Sequence, residues 1–287
     1  MVQVKSYANI DSFFQDTLSF LEQNEAANNL HIGIPLSMPR LRAFDNPLNL
    51  FAVFKNQKVV FVCLQTPPRN LLISGEESLS EEIFKVFIPF LFEKNIKASG
   101  IIGPKNISLA LAEAWKLQTG QNWEINFQQL IYQLDQLKPV PLSSGKFRQA
   151  NLEDLPIVQE WLIDFVKDAM NTSDPEKTKA IAKAKTEEGS IYLWEDGAIV
   201  SMASVARPTR NGITVNYVYT PPAYRGKGYA SSCVSKMSEL MLKKYQFCCL
   251  FTDMSNSTSN KIYKNMGYYP ITEYRDIKFI DSLKTPS

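Results

Sequence analysis

The segment Tyr224-Arg225-Gly226-Lys227-Gly228-Tyr229-Ala230 has the composition of an anion site. It stands between an apolar run, Ile213 to Thr220, that reads as a strand and a stretch, Tyr229 to Lys244, that reads as an amphipathic helix. At the start of a helix several backbone N–H groups point outward unpaired, and glycines let an anion approach the main chain closely. Arg225 and Lys227 add positive charge. No Gly-Lys-Ser/Thr follows, so the segment is not a nucleotide P-loop. Ser231 stands where a dinucleotide fingerprint needs its third glycine, which excludes that reading too.

A second set of residues lies downstream: Asn256, Ser259, Ile262, Tyr263, Gly267 and Tyr268. Together the two stretches resemble the GNAT superfamily of acyl-CoA-dependent N-acyltransferases. The first matches its pyrophosphate loop, R-x-x-G-x-A; the second matches N-x-x-A-x-x-L-Y-x-x-x-G-F with conservative changes at Ser259, Ile262 and Tyr268. The resemblance implies an N-acetyltransferase that uses acetyl-CoA as co-substrate and no metal, with direct attack of a primary amine in a ternary complex.

The same resemblance assigns roles by residue. The backbone of Tyr217, Val218 and Tyr219 would pair with the pantetheine arm, and one of those N–H groups would polarise the thioester carbonyl. Gly226, Lys227, Gly228, Tyr229 and Ala230 would hold the pyrophosphate, with Arg225 at the mouth. Asn256 and Ser259 fall at positions near the coenzyme, although Asn256 also suits a helix cap. Tyr263 takes the place of the general acid that meets the departing thiolate. The general base is not legible: Asp253, at a strand end near the expected cleft, suits a structural role equally well, Glu273 is a further candidate, and neither is chosen. Two-copy chains with a silent first half resemble glycine N-acyltransferase-like proteins, which leaves amino-acid acylation with larger acyl groups as an alternative. A coenzyme-binding module without turnover is another.

These residues need a scaffold. Lys146 to Ala150 reads as a strand, Leu152 to Met170 as a helix capped by Asn151, and Ile191 to Trp194 and Ala198 to Ala206 as a hairpin closed by Asp196-Gly197. After the helix from Tyr229 come a buried strand Phe247 to Phe251, a helix Thr258 to Met266 and a strand Tyr274 to Ile280. The order is β-α-β-β-β-α-β-α-β. The first half repeats it weakly: a hairpin Phe51–Phe54 and Val59–Gln65 around Asn56-Gln57, a strand Leu71–Ser74, a helix Leu79–Glu93, a strand at Ile101-Ile102, a helix Ser108–Leu117 and a strand near Leu130–Leu134. Where the second copy has Pro221 to Gly228, the first has only Gly75, Glu76, Glu77 and Ser78.

The expected fold class is therefore α/β (α+β mixed sheet): two tandem GNAT-like domains, each a twisted mixed sheet flanked by helices. The expected division is a degenerate domain at 1–139, a linker at 140–145 and a catalytic domain at 146–287, since the prolines and serines of Lys138 to Gly145 interrupt the patterning.

Composition narrows the rest. Apolar residues make up 45% and charged residues 21%, an ordinary globular balance, and a net charge of +2 gives no basic field for nucleic acid. Cys63, Cys233, Cys248 and Cys249 have no metal-ligand spacing and read as buried thiols in a reducing compartment. Met1 to Phe20 lacks the apolar core of a signal peptide, and Ile83 to Phe92 is too short to span a bilayer. A cytoplasmic location follows; the resemblance implies a small-molecule or peptide amine as acceptor, and the expected partners include no nucleic acid and no membrane, the chain being a monomer or homodimer. The lone His31 excludes most histidine-based hydrolytic chemistry and is expected to be structural or at the surface. Met237 and Met241 are expected in the core, Tyr217 and Tyr219 on one face of their strand, and Lys177, Lys179, Lys183 and Lys185 on a solvated helix face.

Overall fold

A computed structural model describes residues 1–41, 48–79, 81–170 and 174–280. The first half runs β1 (Val2–Tyr7), α1 (Ile10–Glu22), α2 (Asn29–Leu41), β2 (Asn49–Lys55), β3 (Lys58–Gln65), β4 (Leu71–Gly75), α3 (Glu81–Glu93), β5 (Gly100–Pro104), α4 (Lys105–Thr119) and β6 (Asn122–Leu134). The second runs β7 (Lys146–Gln149), α5 (Leu155–Met170), α6 (Pro175–Glu187), β8 (Ile191–Glu195), β9 (Ile199–Ala206), β10 (Gly212–Tyr219), α7 (Tyr229–Met241), β11 (Phe247–Asp253), α8 (Ser257–Asn265) and β12 (Tyr269–Ile280). Both copies have the order β-α-α-β-β-β-α-β-α-β. The sequence-derived order placed no element before Phe51 in the first copy, so it lacked β1, α1 and α2; in the second it left out α6, whose lysines were read only as a solvated helix face. Mean hydropathy is low in α6, where Asp174 caps the helix by accepting from Lys177 N at 3.1 Å.

Local chemistry sets several boundaries. Asn56 and Gln57 adopt φ of 51° and 65°, the left-handed pair that closes a tight hairpin with the twist of its strands. Asn151 forms a capping box with Asp154 before α5, and Arg148 forks onto both Asp154 oxygens at 2.7 and 2.8 Å. Cys233, Val234, Met237 and Met241 line the buried face of α7 at helical spacing.

All strands join one twelve-stranded sheet, ordered β1-β2-β3-β4-β5-β12-β6-β11-β10-β9-β8-β7. The last strand of each half lies in the other's territory. β12 pairs antiparallel with β5 of the first half, and β6 pairs antiparallel with β11 of the second. The two exchanged strands pair with each other from Tyr269 opposite Gln133 to Ile280 opposite Asn122. This explains why β12 begins at Tyr269, ahead of the expected Tyr274: partners on both sides extend it. Burial follows the exchange. Tyr132 and Leu134 of β6 pack in the core under α7 and α8, while Tyr274 and Ile277 of β12 pack in the cores of the first half. The interruption at 138–145 contains no helix or strand, but the sheet passes across it without a break.

Candidate active site

The loop between β10 and α7 carries the candidate anion site. A short turn at Pro222–Tyr224 brings the chain off β10, and Arg225 Nε returns to Thr220 O at 2.9 Å. Gly226 and Gly228 both take φ of 79°, a conformation that costs other residues about 1 kcal/mol or more. Gly228 is the cap of α7 and supplies no side chain to it. The N–H groups of Gly226, Lys227, Gly228, Tyr229 and Ala230 have no acceptor among the described residues. No acidic residue stands in the first turn.

The carbonyl side of the loop is held from behind. Ser143 Oγ donates to Lys227 O at 2.7 Å, and Ser232 Oγ accepts from Ser143 N at 2.8 Å while donating to Gly228 O at 3.1 Å. Tyr229 Oη donates to Asp196 Oδ2 at 2.6 Å, and Ser144 Oγ donates to the same oxygen at 2.6 Å. These two hydroxyls hold the Asp196 carboxyl below its usual range. Fixing the carbonyls inward directs the amides outward. Sequence reasoning missed Ser143, Ser144, Asp196 and Ser232, because their partners are distant in the chain and no local pattern marks them.

Next to the loop the sheet opens. β10 and β11 are parallel and pair only from Gly212–Thr214 to Phe247–Cys249, so they diverge beyond Thr214. On its other side β10 breaks register with β9 between Asn216 and Tyr219, and Tyr217 sits at φ 48°. This bulge leaves Tyr217 and Val218 outside the regular ladder, where their backbone groups can pair with an extended ligand. It also turns the strand over. Ile213 and Val215 pack in the core beneath α7, whereas Tyr217 and Tyr219 pack against α5, beside Phe165 and Trp161 respectively. The two tyrosines do share a face, but it is opposite to the one that alternation from Ile213 would give.

Tyr263 projects from α8 into the core shared with Tyr132 and Tyr268, with ring centroids 6.5 and 5.7 Å away. Burial alone raises its phenol to about 12, so it keeps its proton throughout the neutral range. Its hydroxyl makes no hydrogen bond within the described protein. Asn256 Oδ1 accepts from Ser259 N at 3.0 Å, so both residues are engaged in capping α8. Neither candidate base is free: Asp253 Oδ1 accepts from Ser255 N and Oγ at 2.7 and 2.6 Å, and Glu273 binds Lys105 at 3.1 Å and Arg275 at 2.6 Å. Those cations hold the Glu273 carboxyl below its usual range, which weakens it as a base.

His31 is fully buried on α2, with Nε2 3.2 Å from Leu72 O, and burial lowers its imidazole to about 4. All four cysteines are buried free thiols. Met237 and Met241 lie in the core. Lys177 and Lys183 are exposed on α6, but Lys185 is not: it is 7% exposed and its ammonium donates to Ser204 Oγ and Val205 O at 3.0 Å each. No helix among the described residues is long and apolar enough to cross a membrane.

Residues 155–268 match the acetyltransferase (GNAT) family. This part of the chain is a GNAT domain. It contains the loop, the divergent strands and Tyr263. No curated protein matches the sequence. Among solved structures, a GNAT-family acetyltransferase from Colwellia psychrerythraea superposes with a TM-score of 0.57 at 16% identity, covering 98% of this chain and 100% of its own. A tandem GNAT protein from the clavulanic acid biosynthesis pathway covers 100% of both chains at a TM-score of 0.60 and 11% identity. A GCN5-related N-acetyltransferase from Sphaerobacter thermophilus gives 0.62 at 14% identity, covering 97% of this chain and 96% of its own. At such identities the likeness is one of fold: two GNAT-like domains in tandem, the second carrying the motifs.

Proposed function

We propose that the second half transfers an acetyl group from acetyl-CoA to a primary amine, by direct attack within a ternary complex. The observation that carries this reading is the row of unpaired amides from Gly226 to Ala230, at the start of a helix without acidic residues in its first turn. A diphosphate is the ligand such a row suits. Its N–H groups and the helix dipole favour negative charge, with charge-assisted hydrogen bonds contributing about 1.5–3 kcal/mol each. Arg225 and Lys227 add to the field at the loop's mouth.

From that anchor an extended arm fits the gap between β10 and β11, beside the backbone of Tyr217, Val218 and Tyr219. One of those N–H groups would receive the thioester oxygen as it gains charge. Tyr263, neutral at working pH, donates a hydrogen bond to the leaving sulfur; a phenol raised to about 12 serves better as a donor than as a full acid. We read the chain as a cytoplasmic enzyme with a catalytic domain at 146–287, a linker at 140–145 and an acceptor-shaping domain at 1–139.

The test combines calorimetry with acetyl-CoA and thiol release across amino acids, polyamines, aminoglycosides and peptide amino termini. Binding with turnover supports the reading, and comparison of acyl-CoA chain lengths separates an acetyl donor from a larger one. Binding without turnover on any amine would leave a coenzyme-binding module instead. Absence of binding would remove the reading altogether.

A further inference from the structure

The face of the sheet that Tyr217 and Tyr219 line holds an excess of buried positive charge. Lys185 reaches in from α6, its ammonium 5.5 Å from the Tyr217 ring, with two of its three N–H donors given to Ser204 and Val205. Arg207 enters from the end of β9 at φ 48°, and its buried Nε has no partner. Its side chain lies against Gly33 of α2, where any Cβ would collide with it. Asn216, the last residue before the bulge, has a buried Oδ1 without a donor. Arg69, on the loop after β3, extends the positive field from the first half toward Tyr217.

No carboxylate lies within 4.0 Å of Lys185, Arg207 or Arg69 among the described residues. Glu188 acts on the Lys185 charge only from the exposed end of α6, and two other acids on this side are already engaged. Asp164 accepts from Tyr219 Oη, and Glu25 accepts from Asn211 N and Nδ2 at 2.7 Å each. Buried cations without a close counter-ion are strongly unfavourable, and like charges worsen the cost: burial, with Arg207 adding to it and Glu188 opposing it, pushes the Lys185 ammonium down to about 8. Such a cluster is a candidate site for a ligand that supplies the missing charge.

We infer that Lys185 and Arg207 form the acceptor's anion pocket, so that the amine attacking the thioester also carries a carboxylate. The one free N–H of Lys185 and the unpaired Nε of Arg207 offer one donor to each carboxylate oxygen. Asn216 Oδ1, at the edge of the bulge, accepts from the amine. The inference rests on the proposed acetyl transfer and names its substrate class: small molecules with an amine and a carboxylate a few bonds apart.

The experiment uses the full chain saturated with coenzyme A, titrated by calorimetry with free amino acids, with their carboxamides and with phosphoethanolamine. Acetyl transfer is followed on the same compounds. The expected result is binding and acetylation of one or more acids, with the matching carboxamide at least tenfold weaker. Lys185→Met and Arg207→Gln should each raise KM for that acid at least tenfold while leaving KM for acetyl-CoA unchanged, and Arg207→Lys should recover part of the loss. If Arg207→Gln melts without a cooperative transition, Lys185→Met and the acid-against-carboxamide comparison decide alone. Equal use of acids and carboxamides, preference for phosphoethanolamine, or no binding of any acid to the coenzyme-loaded protein would each overturn the inference while leaving acetyl transfer standing. Failure of coenzyme A itself to bind would instead remove the function on which the inference rests.

Discussion

Helices α3 and α7 hold equivalent places, each following the third strand of a meander and crossing to a parallel neighbour, yet their N-terminal ends are electrostatic opposites. Glu81 and Glu82 occupy the first turn of α3, and Glu76 and Glu77 precede it. These carboxylates already complement the helix dipole and would repel a phosphate. α7 has no acid there and is preceded by Arg225, Lys227 and two glycines at positive φ. The interiors differ in the same sense. Phe61 meets Phe84 and Phe87 of α3 edge-on at 6.0 and 5.0 Å, and Ile73 packs directly on Gly103, which closes the gap between β4 and β5. Beside the GNAT loop, α7 instead buries Ser232, Ser235 and Ser238, and β10 carries a bulge that β4 lacks. The scaffold is repeated; the candidate anion site differs from its counterpart by a handful of residues at one helix end and one strand irregularity.

The comparison implies that the halves differ in chemistry while sharing one sheet, and excision breaks it most severely. Removing residues 1–139 takes away β6 and β5, leaving β11 with a bare edge and β12 without either neighbour. The fragment is expected to be insoluble, or to lack a cooperative thermal transition when refolded. A soluble, cooperatively melting fragment would show that the exchange is dispensable.

Giving the α7 end the acidity of the α3 end is the next test. A Cβ on Gly226 meets nothing within 4 Å, so Gly226→Asp should fold, with a stability loss of about 1 kcal/mol from its positive φ. Its carboxylate should raise the acetyl-CoA Kd about 100-fold, or about 2.7 kcal/mol, by calorimetry. Glu81→Lys with Glu82→Lys should confer no coenzyme binding on the first half when placed in the Gly226→Asp background, because α3 lacks the loop. Recovery of binding there would make charge alone sufficient.

Tyr263→Phe should lower kcat at least tenfold with little change in KM for acetyl-CoA; unchanged turnover would reduce Tyr263 to packing. Because burial raises the phenol to about 12, it stays protonated until pH approaches that value. The wild-type kcat profile should therefore show no alkaline loss from this group below about pH 11. The smallest effect is expected from Ser143→Ala, which removes the hydrogen bond to Lys227 O. Loss of about 0.5–1.5 kcal/mol of support should weaken acetyl-CoA binding by about two- to tenfold. No change would mean that the glycines hold the loop unaided.

Much of this was legible in the sequence because it is local. The loop and its glycines, the Asn56-Gln57 turn, the Asn151 cap and the apolar face of α7 are each set by neighbours within a few residues. The place of α6 in the element order was missed because its four lysines equal its four apolar residues, three of them alanine, and Lys185 looked like its solvated neighbours. Its burial depends on Ser204 and Val205, which no helical periodicity announces.

The sequence by itself determined the order of elements around the loop, the left-handed glycines and helix start of the candidate anion site, and the family of the second half, because dihedral preferences and helix-end dipoles act over a turn or two of chain. Tertiary structure alone decided that β6 and β12 trade places, that Ser143 and Asp196 brace the loop, and that Lys185 and the Nε of Arg207 are buried. Strand pairing and the burial of charge depend on which distant segments meet. A single chain of residue types does not carry that information position by position.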